Sequence, residues 1–340
     1  MEQSLSQLSL GYVPAQVLYA AAELGVADAL GDGPRGYRSL AEETGTDPAA
    51  LRRLLRALAG LGVVTQLDTE RFSLTELGNR LRTDVPDSER DDIVLTTAPE
   101  LWRAWGDLSA VVRTGAPALD PGTGLTAHEA MLRDPELAVK LRAGMAQAAR
   151  EFAPGVTEAY DFSQFRTVAD FGGDEGTLIA AILHAVPGVQ GVLYDRPDAL
   201  DRARAVLGAA GVAQRCEVVE GDLTKPVPAG ADVFVLNNIV RDWDDGKATS
   251  LLRNCRAGMS PTDRLLLVET LMPPVLTSDE SAAYGLTDLN NLVFTGGRER
   301  TLDEYADLLD GAGFTLSSTV AVPIPTGMPD YHVIEGTPTA

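Results

Sequence analysis

Residues 236–245 read LNNIVRDWDD, and the side chains crowded there are those of a reaction site: two amides, one arginine and three carboxylates around a tryptophan. Arg241 stays protonated at any ordinary pH and offers only donors, so it can pair with a carboxylate or hold an oxyanion but cannot take a proton. Upstream, VADFGGDEGTL places Asp170, Gly172, Gly173 and Gly176 where an apolar strand gives way to a helix. Missing side chains at such a turn let a ligand approach the backbone and the helix N-terminus. Asp195 ends the next apolar run in GVLYDRP, about 20 residues on, where a carboxylate accepts ribose hydroxyls. Asp222, in VVEGDL, closes a third run, where its carboxylate or the adjoining backbone can read an adenine amino group. Three strand ends then point at one nucleoside. Dinucleotide binding uses similar turns and acids, and a tight turn with helix-capping aspartates is the plainer alternative.

These residues need a frame. From Arg166 onward the short apolar runs TVADF, GVLYD, CEVVEGD, ADVFVLN and RLLLVET alternate with helical segments, which predicts a parallel sheet covered on both faces. Before it, apolar residues recur at helical spacing from Tyr12 to Leu30 and stop at GDGPRG. In SLAEETGTDPAALRRLLRALAGLGVV, Ser39 is placed to cap a short helix, TGTDP to turn, and Leu51, Leu54, Leu55 and Leu58 to form one buried stripe. VVTQLDTERFSLT then alternates like two short strands, which completes a winged-helix pattern. WRAWGDLSAVVRTG and PELAVKLRAGMAQAAREFA are two further helical stretches, whose Trp102, Trp105, Met145 and Phe152 suit a core. On TDLNNLVFTGGRERT a helix carries Asp288, Asn290 and Asn291 before a turn with Glu299, and Leu286, Leu289 and Val293 are spaced to face inward.

Composition limits what the frame can serve. A chain of 340 residues with 45% hydrophobic side chains supports two domains with sizeable cores. The net charge of -21 and pI near 4.5 repel phosphate backbones and anionic membranes. Residues 1–90 hold nine basic and thirteen acidic side chains, so the exposed Arg52, Arg53 and Arg56 lack the footprint a transcription factor needs. Cys216 and Cys255 have no ligand or disulfide spacing, which fits a reducing cytoplasm. No signal leader or membrane span is read. His128, His184 and His332 form no metal-spaced cluster, and the first two are expected to face solvent.

In order and spacing, VADFGGDEGTLIAAILHAVPGVQGVLYDRP, EGDL, LNNIVRDWDD, LLLVET and TGGRERTLDEYADLLDGAGF resemble the S-adenosylmethionine-dependent small-molecule O-methyltransferases. These include plant caffeate- and acetylserotonin-type enzymes and bacterial polyketide-tailoring ones, and the likeness spans nearly the whole chain. It implies an α/β protein: a mostly helical, winged-helix-like dimerisation domain over residues 1–160, then a Rossmann-like class I methyltransferase domain over 161–340. It also implies a homodimer that methylates an oxygen of an aromatic or polyketide-like natural product. S-adenosylmethionine would be the cofactor and S-adenosylhomocysteine the product. The alternative is the same fold repurposed for hydroxylation, decarboxylation or rearrangement.

By position, the resemblance assigns Asp170, Gly172, Gly173 and Gly176 to the methionine portion and Asp195 to the ribose. Asp222, Leu223 and Trp243 go to the adenine. Arg241 stands where the plant enzymes have the histidine that deprotonates the acceptor, and Glu269 and Glu299 where they have carboxylates that orient it. Asn290, Asn291 and Met145 are the acceptor-side candidates. Asn237 replaces a lysine near the methionine carboxylate, exchanging a charge-assisted bond for a neutral one. Asp174 replaces a glycine and, with Glu175, adds negative charge beside that carboxylate.

Overall fold

The computed structural model describes residues 4–277, 284–324 and 330–339. The chain divides into two compact units, residues 1–106 with 130–141, and residues 107–129 with 142–340.

In the first unit the expected helix from Tyr12 to Leu30 is two, α1 (Tyr12–Glu23) and α2 (Val26–Leu30), parted at Gly25, whose φ of 63° no continuous helix allows. A short strand β1 (Arg35–Gly36) leads into α3 (Tyr37–Thr44), then α4 (Pro48–Gly60). Ser39 is not the cap: it lies inside α3, and its hydroxyl accepts from Arg35 at 3.0 Å. Asp47 caps α4 by accepting from the Ala50 N–H at 2.8 Å. Leu51, Leu55 and Leu58 are buried with Leu54 partly so, against β2 (Val64–Gln66) and β3 (Arg71–Leu74). The three strands pair antiparallel in the order β1-β3-β2. Arg52 is used internally, donating to Thr69 O at 2.9 Å and lying 5.3 Å from the Tyr37 ring centroid. Only Arg53 and Arg56 of that trio are exposed.

WRAWGDLSAVVRTG also breaks, into α5 (Pro99–Gly106) and α6 (Leu108–Thr114), at Asp107. PELAVKLRAGMAQAAREFA lies within α7 (Pro135–Ala159), which runs on through Pro154. The second unit is organised on seven strands: β4 (Thr167–Phe171), β5 (Gln190–Asp195), β6 (Cys216–Glu220), β7 (Val233–Asn237), β8 (Arg264–Thr270), β9 (Phe314–Ala321) and β10 (Tyr331–Pro338). Between them come α8 (Thr177–Ala185), α9 (Pro197–Ala209), α10 (Asp245–Ala257), α11 (Leu286–Phe294) and α12 (Leu302–Gly311).

The strand order is β6-β5-β4-β7-β8-β10-β9. The first five are parallel as expected, but β10 runs antiparallel to both β8 and β9, so the sheet is mixed. Alternate residues feed two cores. Val168, Leu193 and Val235 pack under α8 and α9, while Phe171, Phe234 and Leu267 pack under α10 and α12. The order reverses between β4 and β7, and at such a switch the carboxyl ends of parallel strands leave a crevice for a ligand.

At the edge of that crevice a Cβ on Gly221 would fall 1.6 Å from Cζ of Tyr194. Gly221→Ala is therefore expected to lower stability by about 1–3 kcal/mol. Chemical denaturation would show this as a lower midpoint at unchanged slope; an unchanged midpoint would mean that the turn yields freely.

Candidate active site

Four strand ends meet at the glycine turn. Gly172 N–H donates to Tyr194 O at 2.8 Å, Asp174 N–H to Asp195 Oδ2 at 2.7 Å, and Asp222 N–H to the Tyr194 hydroxyl at 2.9 Å. A Cβ on Gly172 would lie 2.7 Å from Ile239 Cδ1 and 3.1 Å from Leu223 Cδ1, and Gly172 itself has a φ of 75°. Glycine is required there on both counts. Gly176, at φ 77°, opens α8.

The carboxylates of this edge differ sharply. Asp170 is fully buried with neither oxygen hydrogen-bonded, and burial, then the neighbouring Asp195, pushes it up to about 7. Asp195 is raised by burial too, although its oxygens accept from the Asp174 and Arg196 N–H groups. Asp222 is held below its ordinary value by the Thr224 hydroxyl and N–H. The negative charge read at Asp174 and Glu175 does not stand alone. Asp174 pairs with Arg202 at 2.7 Å, and Glu175 with Arg150 at 3.3 Å.

On the other side of the switch lies the arginine. Arg241 forms an ion pair with Glu299, and its Nη1 is 3.4 Å from Asn238 Oδ1. Glu299 is held from three further sides: Thr270 Oγ1 and Asn291 Nδ2 (2.9 Å) donate to its carboxylate, and Asp288 Oδ1 accepts its N–H at 2.7 Å. Glu269 accepts from the Val240 N–H at 2.8 Å through Oε1, while its buried Oε2 has no partner. Burial, offset in part by Arg241, brings its carboxyl to about 8; the same pair of effects leaves Asp242 at about 6. One guanidinium thus faces three carboxyls, and the two it does not grip are driven toward their neutral forms.

Three residues not singled out from sequence complete this centre. Asn238 takes the left-handed φ of 53°, and its Oδ1 accepts from the Tyr331 hydroxyl at 3.0 Å. Tyr331 stacks on Phe152, with ring centroids 5.0 Å apart. Arg300, with no solvent exposure, donates to Val240 O at 3.0 Å, Trp243 O at 2.8 Å and Asp245 Oδ1 at 2.8 Å. Arg298 N–H adds a bond to Arg241 O at 2.8 Å, and a Cβ on Gly297 would meet that same carbonyl at 2.0 Å. The 296–300 turn and the 240–245 loop are thereby sewn together, which fixes Arg241 opposite Glu299. The paired aspartates of DWDD were the available signal, since Asp244 caps α10 and Asp245 still requires a cation.

Other expectations resolve singly. Asn291 is buried and bonded within the cluster, whereas Asn290 is half-buried one position along α11. Asn237 Oδ1 accepts from Asn238 Nδ2 at 3.3 Å. Trp243 is half-buried against the α10 and α12 core. Met145 is 49% exposed on α7 and Trp102 40% exposed, so neither is core; Phe152 is. Leu286 is exposed, with Val293 of that trio fully buried. His128 is not solvated: its ring packs 5.0 Å from that of Phe294, and burial, then Arg196, lowers its pKa. His184 is exposed, as read.

Comparison with known proteins gives a consistent result. The description "O-methyltransferase domain" matches residues 105–315, and "O-methyltransferase dimerisation domain" matches residues 6–84. The chain is 39% identical over 339 residues to O-demethylpuromycin-O-methyltransferase of Streptomyces alboniger, covering 99% of this chain and 89% of that one. It superimposes on the mitomycin 7-O-methyltransferase MmcR with a TM-score of 0.87 at 34% identity, over 98% and 96% of the two chains. It also superimposes on the neocarzinostatin-biosynthesis O-methyltransferase NcsB1, solved in complex with S-adenosylmethionine and 2-hydroxy-5-methyl naphthoic acid. There the TM-score is 0.83 at 28% identity, over 96% of each chain.

Two measurements probe the centre. Arg300→Lys replaces a planar fork by a compact ammonium that cannot reach Val240, Trp243 and Asp245 together, with an expected loss of about 2–3 kcal/mol in unfolding free energy. Wild-type stability in that variant would show the clamp to be dispensable. The raised Glu269 carboxyl stabilises the fold in its protonated form. That contribution is complete below the unfolded Glu value, near about 4.3, and disappears as pH climbs through the folded value. Thermal midpoints should therefore fall between roughly pH 5 and 8, and Glu269→Gln should flatten part of the slope. An identical slope in the variant would assign the titration elsewhere.

Proposed function

The chain belongs to the O-methyltransferase family, and we propose that it transfers a methyl group from S-adenosylmethionine to an oxygen of an aromatic or polyketide-like natural product. The observation that carries this reading is the convergence of the β4, β5, β6 and β7 ends on one glycine turn, set beside the Arg241–Glu299 centre at the β7 and β8 ends. A cradle that a single added Cβ would fill, together with carboxylate acceptors, suits a ligand with a ribose and a cationic amino-acid portion.

In this reading the backbone at Gly172, Gly173 and Gly176 receives the methionine portion, with Asn237 at the β7 end. Each Asp195 oxygen already accepts one N–H and keeps a lone pair for a ribose hydroxyl. Asp222 and Leu223 border the adenine, and Trp243 packs on it. When bound, the cofactor supplies a methyl already activated by the sulfonium. The protein's task is then alignment of the acceptor oxygen and stabilisation of its anion. Arg241 replaces the family's histidine and cannot accept the proton, so the acceptor must be acidic enough to ionise, as a polyketide phenol or enol is. Glu299 and Asn291 orient the guanidinium, leaving N–H donors for an incoming oxyanion. Asn290 and Met145 are assigned to the acceptor side.

We assign dimerisation, as a homodimer, to residues 1–160 and cofactor binding and chemistry to residues 161–340. Among the described residues no helix is long and apolar enough to cross a membrane. With Cys216 and Cys255 both buried and unpaired, a reducing cytoplasm is the compartment we propose.

Arg241→Gln keeps a polar contact to Glu299 while removing the charge. Calorimetric titration should give cofactor affinity within about twofold of wild type, while turnover of a phenolic acceptor falls roughly a hundredfold. Undiminished turnover would remove the anion-holding role. Absence of both methylated product and S-adenosylhomocysteine from wild-type incubations across acidic phenols would point instead to the repurposed fold.

A further inference from the structure

Asp170 is the anomaly of the cofactor edge. It is fully buried, and neither of its carboxylate oxygens has a hydrogen-bond partner. It lies directly beneath the glycine turn: a Cβ on Gly173 would stand 2.5 Å from its Oδ2. Among the described residues, the charged and titratable groups around it offer no compensating cation. From β5 it faces Asp195, and from β6 the Cys216 thiol, itself pushed up to about 12 by burial and then by Asp170. In the turn, Asp174 and Glu175 are occupied by Arg202 and Arg150. Beyond Asp195, Arg196 directs its side chain to Asp198 at 3.7 Å. From β7, the paired residue is Val235, which is apolar. The Ile179 N–H on α8 favours the anion without meeting either oxygen in a hydrogen bond. A buried carboxyl so placed, at about 7, is only part ionised near neutrality, and a positive charge arriving on the turn above it draws it toward the anion.

Resting on the reading that S-adenosylmethionine binds this turn, we infer that Asp170 is the residue by which the site distinguishes the sulfonium from the thioether that remains after transfer. Cofactor and product share the ribose, the adenine and the amino-acid ends. They differ by the methyl and one positive charge. The charge favours the Asp170 anion, and by linkage the anion favours the charged ligand. Methyl transfer leaves the sulfur neutral; the carboxyl then regains a proton from solvent, and the preference for holding the nucleoside weakens. Cofactor is thus retained and product released by one buried group that touches neither reacting atom.

The test is calorimetric titration of wild type and Asp170→Asn with each nucleoside across roughly pH 6 to 8.5, a window that brackets the carboxyl. In wild type the ratio of product Kd to cofactor Kd should rise about tenfold with pH, the factor for one unit of coupling. In Asp170→Asn, neutral throughout, the ratio should stay flat at the low-pH value. The sulfonium lowers the cofactor's α-amino pKa below that of the product, so each Kd and each proton count is first corrected with the α-amino pKa measured on the free ligand, and the ratios compared are the corrected ones. Should the variant fail to fold, wild type alone decides: in buffers of different ionisation enthalpy, cofactor must displace more protons than product near neutrality. A flat wild-type ratio with both ligands bound, equal proton release, or a pH-dependent ratio persisting in the variant would each overturn the role of Asp170. Failure of wild type to bind the cofactor at all would instead overturn the underlying functional reading.

Discussion

A guanidinium with no access to water must place its N–H groups on fixed acceptors, and Arg300 places them on one loop. Its bonds to Val240 O, Trp243 O and Asp245 determine the path of residues 240–245. That path aims Arg241 at Glu299 and brings the Val240 N–H onto Glu269. It also sets Trp243 against the core and presents Asp244 as the cap of α10. Bonds to a charged donor contribute about 1.5–3 kcal/mol each when buried, whereas an orphaned charge costs several, so a clamp of this kind holds a single geometry or fails. The centre is rigid because its loop has no alternative acceptors to offer.

The second constraint is electrostatic. Among the described residues, Arg241 is the cation set against Glu299, Glu269 and Asp242, and its proximity lowers the carboxyls that burial raises. Pairing goes to Glu299, which Thr270 and Asn291 also support. Near pH 7 Glu269, at about 8, is then mostly neutral, while Asp242, at about 6, keeps most of its charge beside the Arg241–Glu299 pair. The centre thus sets guanidinium N–H donors beside carboxyls poised near neutral pH. In the reading proposed above, an arginine at position 241 serves an acceptor that is already an anion.

What could be read from the sequence follows from what is local. Strand cores such as TVADF and VFVLN lie where the apolar runs put them, because a parallel strand buried on both faces must be continuous in apolar residues. The direction of β10 was not legible, since alternation records which face a residue takes and not which neighbour its strand finds. The breaks at Gly25 and Asp107 were missed for a related reason: amphipathic spacing continues across a kink that one backbone dihedral imposes. At the site, the family's pattern led to Glu299 and Asn291, whose contact joins residues eight apart. Tyr331 reaches the centre from a distant strand that only the folded sheet brings there, and Arg300, although next to Glu299, bonds a loop 55 residues away in sequence.

The departures at the glycine turn show how a sequence can alter a charge pattern without altering a site. Asp174 sits at φ 48° in a position that favours glycine, a backbone state that costs an L-residue about 1 kcal/mol or more. Its N–H still reaches Asp195, and its carboxylate is met by Arg202 from α9, one turn beyond Asp198, whose own carbonyl Arg202 also grips. The strain is thus tied to a contact that braces the turn against α9. Glycine at 174 would relieve the dihedral and leave Arg202 without its carboxylate. The acid and the arginine act as one pair across two elements, so Asp174 carries a compensated charge at the rim of the turn while Asp170 beneath it has no paired cation among the described residues.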